Sequence, residues 1–314
     1  MSRTALVTGG AGFIGSHLVD RLARDGWRVR VLDDFSSGSD ANLAASRSRV
    51  ELLRGDLCDA ALVARAVAGA DVVFHEAAIP SVPRSVAEPA LTNRVNLDGT
   101  LGLLDAARAA GVRRLVFAGS CAAYGNGEQL PKREDMAPAP ESPYALQKVA
   151  AEQYCTLYAR LYGFETVALR YFNVYGPRQN PQSEYAAVLP RFITSCLAGR
   201  APTIYGDGEQ TRDFVFVGDV VEANLLAAES AKAVGQVVNV AGGRRISLNE
   251  LLRAIQHVAG TRLAAQHGPA RAGDVRHSLA SLARAEALLG YRPQTTLLDG
   301  LALTIDSYRE TRAS

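Results

Sequence analysis

Three residues within "SCAAYGNGEQLPKREDMAPAPESPYALQK" can do proton chemistry together: Ser120, Tyr144 and Lys148. Tyr144 and Lys148 stand four positions apart, so on a helix their side chains leave the same face. A free tyrosine ionises near pH 10 and is a poor base at neutrality, whereas a nearby ammonium favours the phenolate. Lysine is otherwise scarce, with only Lys132 and Lys232 besides, against a large excess of arginine. The spacing alone also suits an amphipathic surface pair. Ser120 turns the reading toward a site, because it ends the strand-like run RLVFAGS and ligands of open α/β sheets collect at the carboxyl ends of strands. There a serine hydroxyl can bond the same substrate oxygen that the tyrosine deprotonates.

A second group of residues points to a dinucleotide. In "TALVTGGAGFIGSHL", Gly9, Gly12 and Gly15 fall between a strand-like run and a helical one. Glycines let the backbone approach a pyrophosphate, and the following helix N-terminus offers unpaired N–H groups and a positive dipole end. Asp33 follows at the end of the second strand, where a carboxylate can hold the adenine ribose hydroxyls. Asp34, Phe35 and Ser36 come next, with no arginine to meet a 2′-phosphate, so NAD is expected rather than NADP. Asp56, in "RGDLCD", could reach the adenine or cap a helix.

These residues need a frame, and the alternation of the chain describes one. The runs TALVTG (4–9), VRVLDD (29–34), VELLRGD (50–56), VVFHEAA (72–78), RLVFAGS (114–120) and TVALRYFN (166–173) read as buried strands. Between them, 16–25, 60–68, 96–110 and 144–162 have helical periodicity. The expected fold class is α/β, a Rossmann-type doubly wound parallel sheet. After Asn173 the chain becomes loop-rich, with a helix near 188–198 and one more buried strand, VVNVAGG (237–243). We therefore expect an NAD-binding domain over 1–175, rejoined by 237–243, and a smaller C-terminal α/β substrate-binding domain over 176–314. The Pro-rich patch MAPAPESP (136–143) is a connector just before the Tyr144 helix.

Composition narrows the classes. The 314 residues are 48% hydrophobic and 21% charged with a formal charge of +2, values of an ordinary folded chain rather than a disordered or fibrous one. Charges of both signs are interspersed, without the basic block of a nucleic-acid or membrane-surface binder. No stretch approaches the roughly 18 consecutive apolar residues of a membrane span, and the N-terminus runs straight into a strand, so a cytoplasmic address is expected. Cys58, Cys121, Cys155 and Cys196 form no CxxC pair and the five histidines no ligand pair, so neither a disulfide framework nor a metal is expected.

Taken together, the glycine loop, "HEAA" at 75–78, Asn96, the Ser120, Tyr144 and Lys148 set, "LRYFNVYGPRQ" and "GDGEQTRDF" resemble the extended short-chain dehydrogenase/reductases, in their nucleotide-sugar epimerase/dehydratase branch. The likeness covers nearly the whole chain. It implies tightly bound NAD+ contacting Gly9, Gly12, Phe13, Ile14, Gly15, Asp33, Asp34, Asp56, Leu57, Ala77, Ala78, Asn96, Tyr144, Lys148 and Tyr171. For the substrate it implies Ser120, Cys121, Ala122, Asn173, Val188, Arg212, Arg271, Asp274 and Ser278, with the two arginines on the diphosphate, a role that suits their fork geometry. It also implies a homodimer built through the helices near 96–110 and 144–162.

Within the branch, the dehydratases carry Asp-Glu at the positions of Cys121 and Ala122, which can supply no such acid and base. Related decarboxylases also usually keep an acid there. Redox inversion at carbon 4 of a UDP-sugar is the expectation that remains. "NVYGPRQNPQSEYAAVLPRFI" and "GDVRHSLA" are most similar to the UDP-N-acetylglucosamine 4-epimerase subgroup, where a small residue at the position of Ser278 leaves room for an N-acetyl group. Two alternatives stand beside it: a UDP-glucuronate 4-epimerase, and a non-catalytic NAD sensor that would have no need of Tyr144 with Lys148.

Overall fold

The computed structural model describes residues 3–180, 188–270 and 275–313. Six strands alternate with helices in its first part: β1 (Thr4–Thr8), β2 (Arg28–Asp33), β3 (Val50–Arg54), β4 (Val72–His75), β5 (Arg114–Ser120) and β6 (Glu165–Tyr171). The helices are α1 (Phe13–Arg24), α2 (Ala60–Val67), α3 (Val82–Ala87), α4 (Pro89–Asn93), α5 (Gly99–Ala109) and α6 (Pro143–Tyr162). Further along come β7 (Asn173–Tyr175), β8 (Thr203–Tyr205), β9 (Thr211–Phe216), β10 (Val237–Val240), β11 (Arg245–Ser247) and β12 (Gln266–Gly268). Their helices are α7 (Val188–Leu197), α8 (Val217–Glu229), α9 (Leu248–Ala259), α10 (Ala283–Leu289) and α11 (Leu297–Ala313).

The main sheet runs β10-β6-β5-β4-β1-β2-β3, and every neighbouring pair is parallel. Strand order reverses between β1 and β4, the place where open α/β sheets leave a crevice. Both faces are covered, which is why the strands read as near-continuous apolar runs. In β5, Val116 enters the core on one face with Leu18, Val31, Phe74 and Val220, while Leu115 and Phe117 enter the other with Leu6, Val63 and Leu103. That alternation is the two-residue pleat of a strand.

The chain after β7 builds two smaller sheets, β11-β9-β7 and β12-β8, around a separate core that includes Phe192, Ile193, Leu251, Ile255, Leu301 and Ile305. It also returns to the main sheet twice: α8 packs beside α1 and over β5 and β6, and β10 pairs with β6. No helix among the described residues is long and apolar enough to cross a membrane.

Boundaries shift where a tertiary contact claims the chain. The run 166–173 divides into β6 and β7, because Phe172 N–H bonds the carbonyl of Val240 at 3.0 Å and the next residues join β9 in another sheet. The run 237–243 stops at Val240, and Gly242 leaves to donate to Asp213 Oδ1 at 2.9 Å. The helix expected from Asn96 starts as a π-turn over Arg94–Asp98 before α5 begins.

Candidate active site

A cleft of about 2150 Å³ runs along the carboxyl ends of the main strands and continues under the second core. At one end, Gly9 ends the first strand with φ +68 and Gly12 starts α1 without any side-chain cap. A Cβ on Gly15 would lie 2.2 Å from the Gly9 carbonyl, so the helix can approach the turn this closely only without a side chain there. The first N–H groups of α1 are thereby left facing the cleft, as an anion requires.

Asp33 braces this loop. Its Oδ2 accepts from Ala11 N and its Oδ1 from Phe35 N, both at 2.8 Å. Burial raises its pKa above the usual carboxylate value, and those two amides pull the other way. Asp34 and Ser36 also line the cleft. Arg54, opposite Asp33 in the sheet, is occupied by Asp40 and by the Phe35 ring 4.0 Å from its guanidinium carbon. Asp56 lines the cleft and accepts from Cys58 N at 2.8 Å, while the cap of α2 is Asp59, which bonds Ala61 and Leu62. Phe13, Ile14, Leu57, Ala77 and Ala78 complete this end of the wall.

At the middle of the cleft stand Gly119, Ser120, Tyr144, Tyr171 and Asn173. Ser120 lies across from Tyr171 in the β5–β6 register, and its hydroxyl caps the short turn Cys121–Tyr124 by accepting from Ala122 N at 3.2 Å. Tyr144 sits in the first turn of α6, which Ser142 caps and Pro143 starts, and its N–H is taken by Ser85 of α3 at 3.0 Å. Burial pushes the Tyr144 hydroxyl up to about 12, with a hydrogen bond from Ser120 working against it. Lys148 is buried one turn further on and donates to the Ala118 carbonyl at 2.9 Å, directly behind Gly119 and Ser120. Burial brings it down to about 8, and the charge of Glu76 works to keep it protonated.

The far end is built by the second part of the chain: Val188, Arg191, Tyr205, Gln210 and Arg212 line it. Arg191 lies 5.5 Å from the Tyr205 ring centre, and Gln210 donates to the Tyr205 carbonyl at 2.7 Å. Arg212 on β9 donates to the Thr211 carbonyl at 2.9 Å, and Asn173 to the Asp213 carbonyl at 3.1 Å.

Five of the expected contacts, Asn96, Lys148, Cys121, Ala122 and Ser278, are not among the residues that line the cleft. Asn96 is fully engaged inside the protein, donating to Gln147 at 2.9 Å and Ile79 O at 3.2 Å and accepting from Ile79 N at 2.8 Å. It fixes the loop after β4 rather than facing the cleft. Cys121 and Ala122 form the turn behind Ser120, and burial pushes the Cys121 thiol up to about 11, so it is a neutral thiol at pH 7. Ser278 is half-buried beside β9, its N–H bonded to the Thr211 carbonyl at 3.0 Å, and is not among the residues that line the cleft. Arg271 and Asp274 lie outside the described residues. Arg191 with Tyr205 had no local signal, and Glu76 also lines the cleft. Only the placement of "HEAA" at a strand end hinted at the latter.

Comparison with known proteins adds an independent line. The model of the NAD dependent epimerase/dehydratase family matches residues 5–241. The UDP-glucose 4-epimerase of Mycolicibacterium smegmatis is 44% identical over 308 residues, which cover 97% of this chain and 98% of that protein. Among solved structures, the UDP-N-acetylglucosamine 4-epimerase of Methanobrevibacter ruminantium M1, in complex with UDP-N-acetylmuramic acid, superposes with a TM-score of 0.95 at 39% identity and covers 99% of both chains. The UDP-glucose 4-epimerase of Thermotoga maritima with UDP-glucose gives 0.93 at 39% identity, covering 98% of this chain and 99% of that one.

Proposed function

We propose that this chain, which belongs to the NAD dependent epimerase/dehydratase family, inverts carbon 4 of a UDP-hexose through a 4-keto sugar and admits N-acetylated hexoses as well as plain ones. The observation that carries the reading is that Ser120 and Tyr144 line the cleft between a glycine-loop cradle and an arginine-lined end, with Lys148 one helical turn beyond Tyr144 and bonded to the Ala118 carbonyl. NAD is the cofactor of the family, and the cradle fits it, since the close α1 approach that Gly15 permits leaves backbone N–H groups facing the cleft. When bound, NAD supplies the hydride acceptor and donor for carbon 4, and its oxidised ring adds a positive charge favouring the Tyr144 phenolate.

The chain's own groups then have separable tasks. Tyr144 takes the proton of the 4-hydroxyl and returns it to the other epimer. It needs positive charge nearby, because burial alone holds it protonated. Ser120 orients the oxygen that reacts, and Lys148 supplies the ammonium on the same helical face. Arg212 and Asn173 hold the diphosphate from the far side, leaving the sugar free to turn over once its carbon 4 is planar. Dehydration would need a carboxyl pair after Ser120, and Cys121 with Ala122 offers a neutral thiol and a methyl group.

For substrate choice, what supports the acetylated pair is the likeness to an enzyme named for UDP-N-acetylglucosamine. Incubating the protein separately with UDP-GlcNAc, UDP-glucose and UDP-glucuronate and following the carbon-4 epimers by NMR tests the whole reading. UDP-GalNAc formation is the expected result. Conversion of UDP-glucuronate alone would keep the mechanism and overturn the substrate, and no conversion would overturn the function.

A further inference from the structure

The first turn of an α-helix leaves backbone N–H groups without a partner inside the helix. In α6 Ser142 is the cap, Pro143 has no N–H, Ala145 N donates to the Ser142 hydroxyl at 3.1 Å, and Leu146 N donates to the Ser142 carbonyl at 2.9 Å. What remains is the N–H of Tyr144, and its partner comes from another element: Ser85 Oγ of α3 accepts it at 3.0 Å. Ser85 is fully buried. Its own hydroxyl hydrogen goes to the Val82 carbonyl at 2.7 Å, which leaves the oxygen's lone pairs for Tyr144. α3 is fixed at its start by Ser81, whose hydroxyl accepts from Arg84 N at 3.1 Å, and Val82, Pro83 and Arg84 line the cleft. The short helix therefore shows three residues to the cleft and holds the catalytic tyrosine's backbone with the next. One turn along α6, the buried Gln147 donates to Thr92 Oγ1 of α4 at 3.0 Å and accepts from Asn96 at 2.9 Å. That second tie fixes the course of α6, while the tie from Ser85 reaches Tyr144 itself.

We propose that Ser85 is a positioning residue for Tyr144: by accepting the Tyr144 N–H it sets the first turn of α6 against the cleft wall, and with it the reach of the tyrosine hydroxyl toward Ser120 and the substrate oxygen. The inference rests on Tyr144 being the base assigned above. A base works only within hydrogen-bond reach of the proton it takes, and a misplacement of about 1 Å can cost about 100-fold in rate. Tyrosine carries its hydroxyl at the far end of a long side chain, so a small rotation of the turn beneath it becomes a large displacement at the reacting atom. Without Ser85 Oγ the Tyr144 N–H has to find another acceptor, and the turn moves to reach one.

Ser85→Ala removes the acceptor, and the test reads it in the NAD-loaded protein in two ways. With tyrosine labelled at its amide nitrogen, the Tyr144 signal is assigned by its absence in Tyr144→Phe, and its hydrogen exchange is expected to quicken by about tenfold or more in Ser85→Ala, the size that loss of one hydrogen bond produces. On turnover, kcat is expected to fall by about 10–100-fold with KM and NAD content unchanged. The same substitution made in Tyr144→Phe should change the residual kcat by less than about twofold, because a residue that acts through the tyrosine hydroxyl has nothing left to position. Ser85→Cys, which keeps the volume and offers a weak acceptor, gives the same pattern and serves if Ser85→Ala does not fold. Unchanged exchange at Tyr144, a raised KM at constant kcat, or an equal fall of kcat with and without the tyrosine hydroxyl would each overturn the proposal. Failure of the unaltered protein to epimerise any sugar would instead strike the proposed function, since the amide exchange is read without turnover.

Discussion

The two ends of the cleft are built by different means. At the glycine-loop end the backbone forms the wall: a positive-φ glycine, a second glycine where a Cβ would lie 2.2 Å from the Gly9 carbonyl, and a helix start without a side-chain cap lie within seven consecutive residues. At the other end side chains do it, with Val188, Arg191, Tyr205 and Arg212 arriving from a helix and two separate small sheets. A backbone site tolerates almost no substitution, since any side chain displaces main-chain atoms, whereas a side-chain site loses one contact at a time.

Gly15→Ala should break the contrast hardest. The added methyl meets the Gly9 carbonyl, so the variant is expected to be purified without NAD, to be inactive, and to lose about 1–3 kcal/mol of stability as an overpacked contact; absorbance and a denaturant melt check this. Tyr144→Phe, at the junction, should leave NAD bound and lower kcat by about 10²–10⁴-fold, the usual range for a lost general base. A variant that keeps full turnover would remove Tyr144 as the base.

Arg212→Ala should raise KM for the UDP-sugar by about 10–100-fold, as expected for one charge-assisted hydrogen bond, with NAD content unchanged. If it released NAD instead, the separation of the two ends would be wrong. Ser278→Tyr carries the smallest effect. A loss of about tenfold or more on UDP-GlcNAc, with UDP-glucose turnover retained, would bring the loop beside β9 into the sugar's surroundings, the size of effect that steric discrimination in a pocket provides. Equal loss on both sugars would remove Ser278 from substrate choice.

The same division explains what could be read before the fold was known. The strands 4–8 and 114–120 and the helix carrying Tyr144 and Lys148 were visible because pleat alternation, Pro143 at a helix start and i, i+4 spacing are local properties. The hydrogen bonds of Asn96 were not legible, because an asparagine's partners, here Gln147 and Ile79, are chosen by packing and leave no trace in neighbouring residues. Spacing puts Lys148 on the helical face of Tyr144, yet the carbonyl it bonds, Ala118, comes from another element, β5.

By itself, then, the sequence determined the parallel sheet's strands, the glycine cradle and the tyrosine–lysine face, since each depends on torsions and hydrogen bonds within about one helical turn. Tertiary structure alone decided that Glu76, Tyr171 and Asn224 form one directed chain of hydrogen bonds, and that the cradle and the arginine-lined end share a single cleft. The reason is that a side chain's partners, and the burial that moves its pKa, are set by which distant segments pack together, and several packings satisfy the same local pattern.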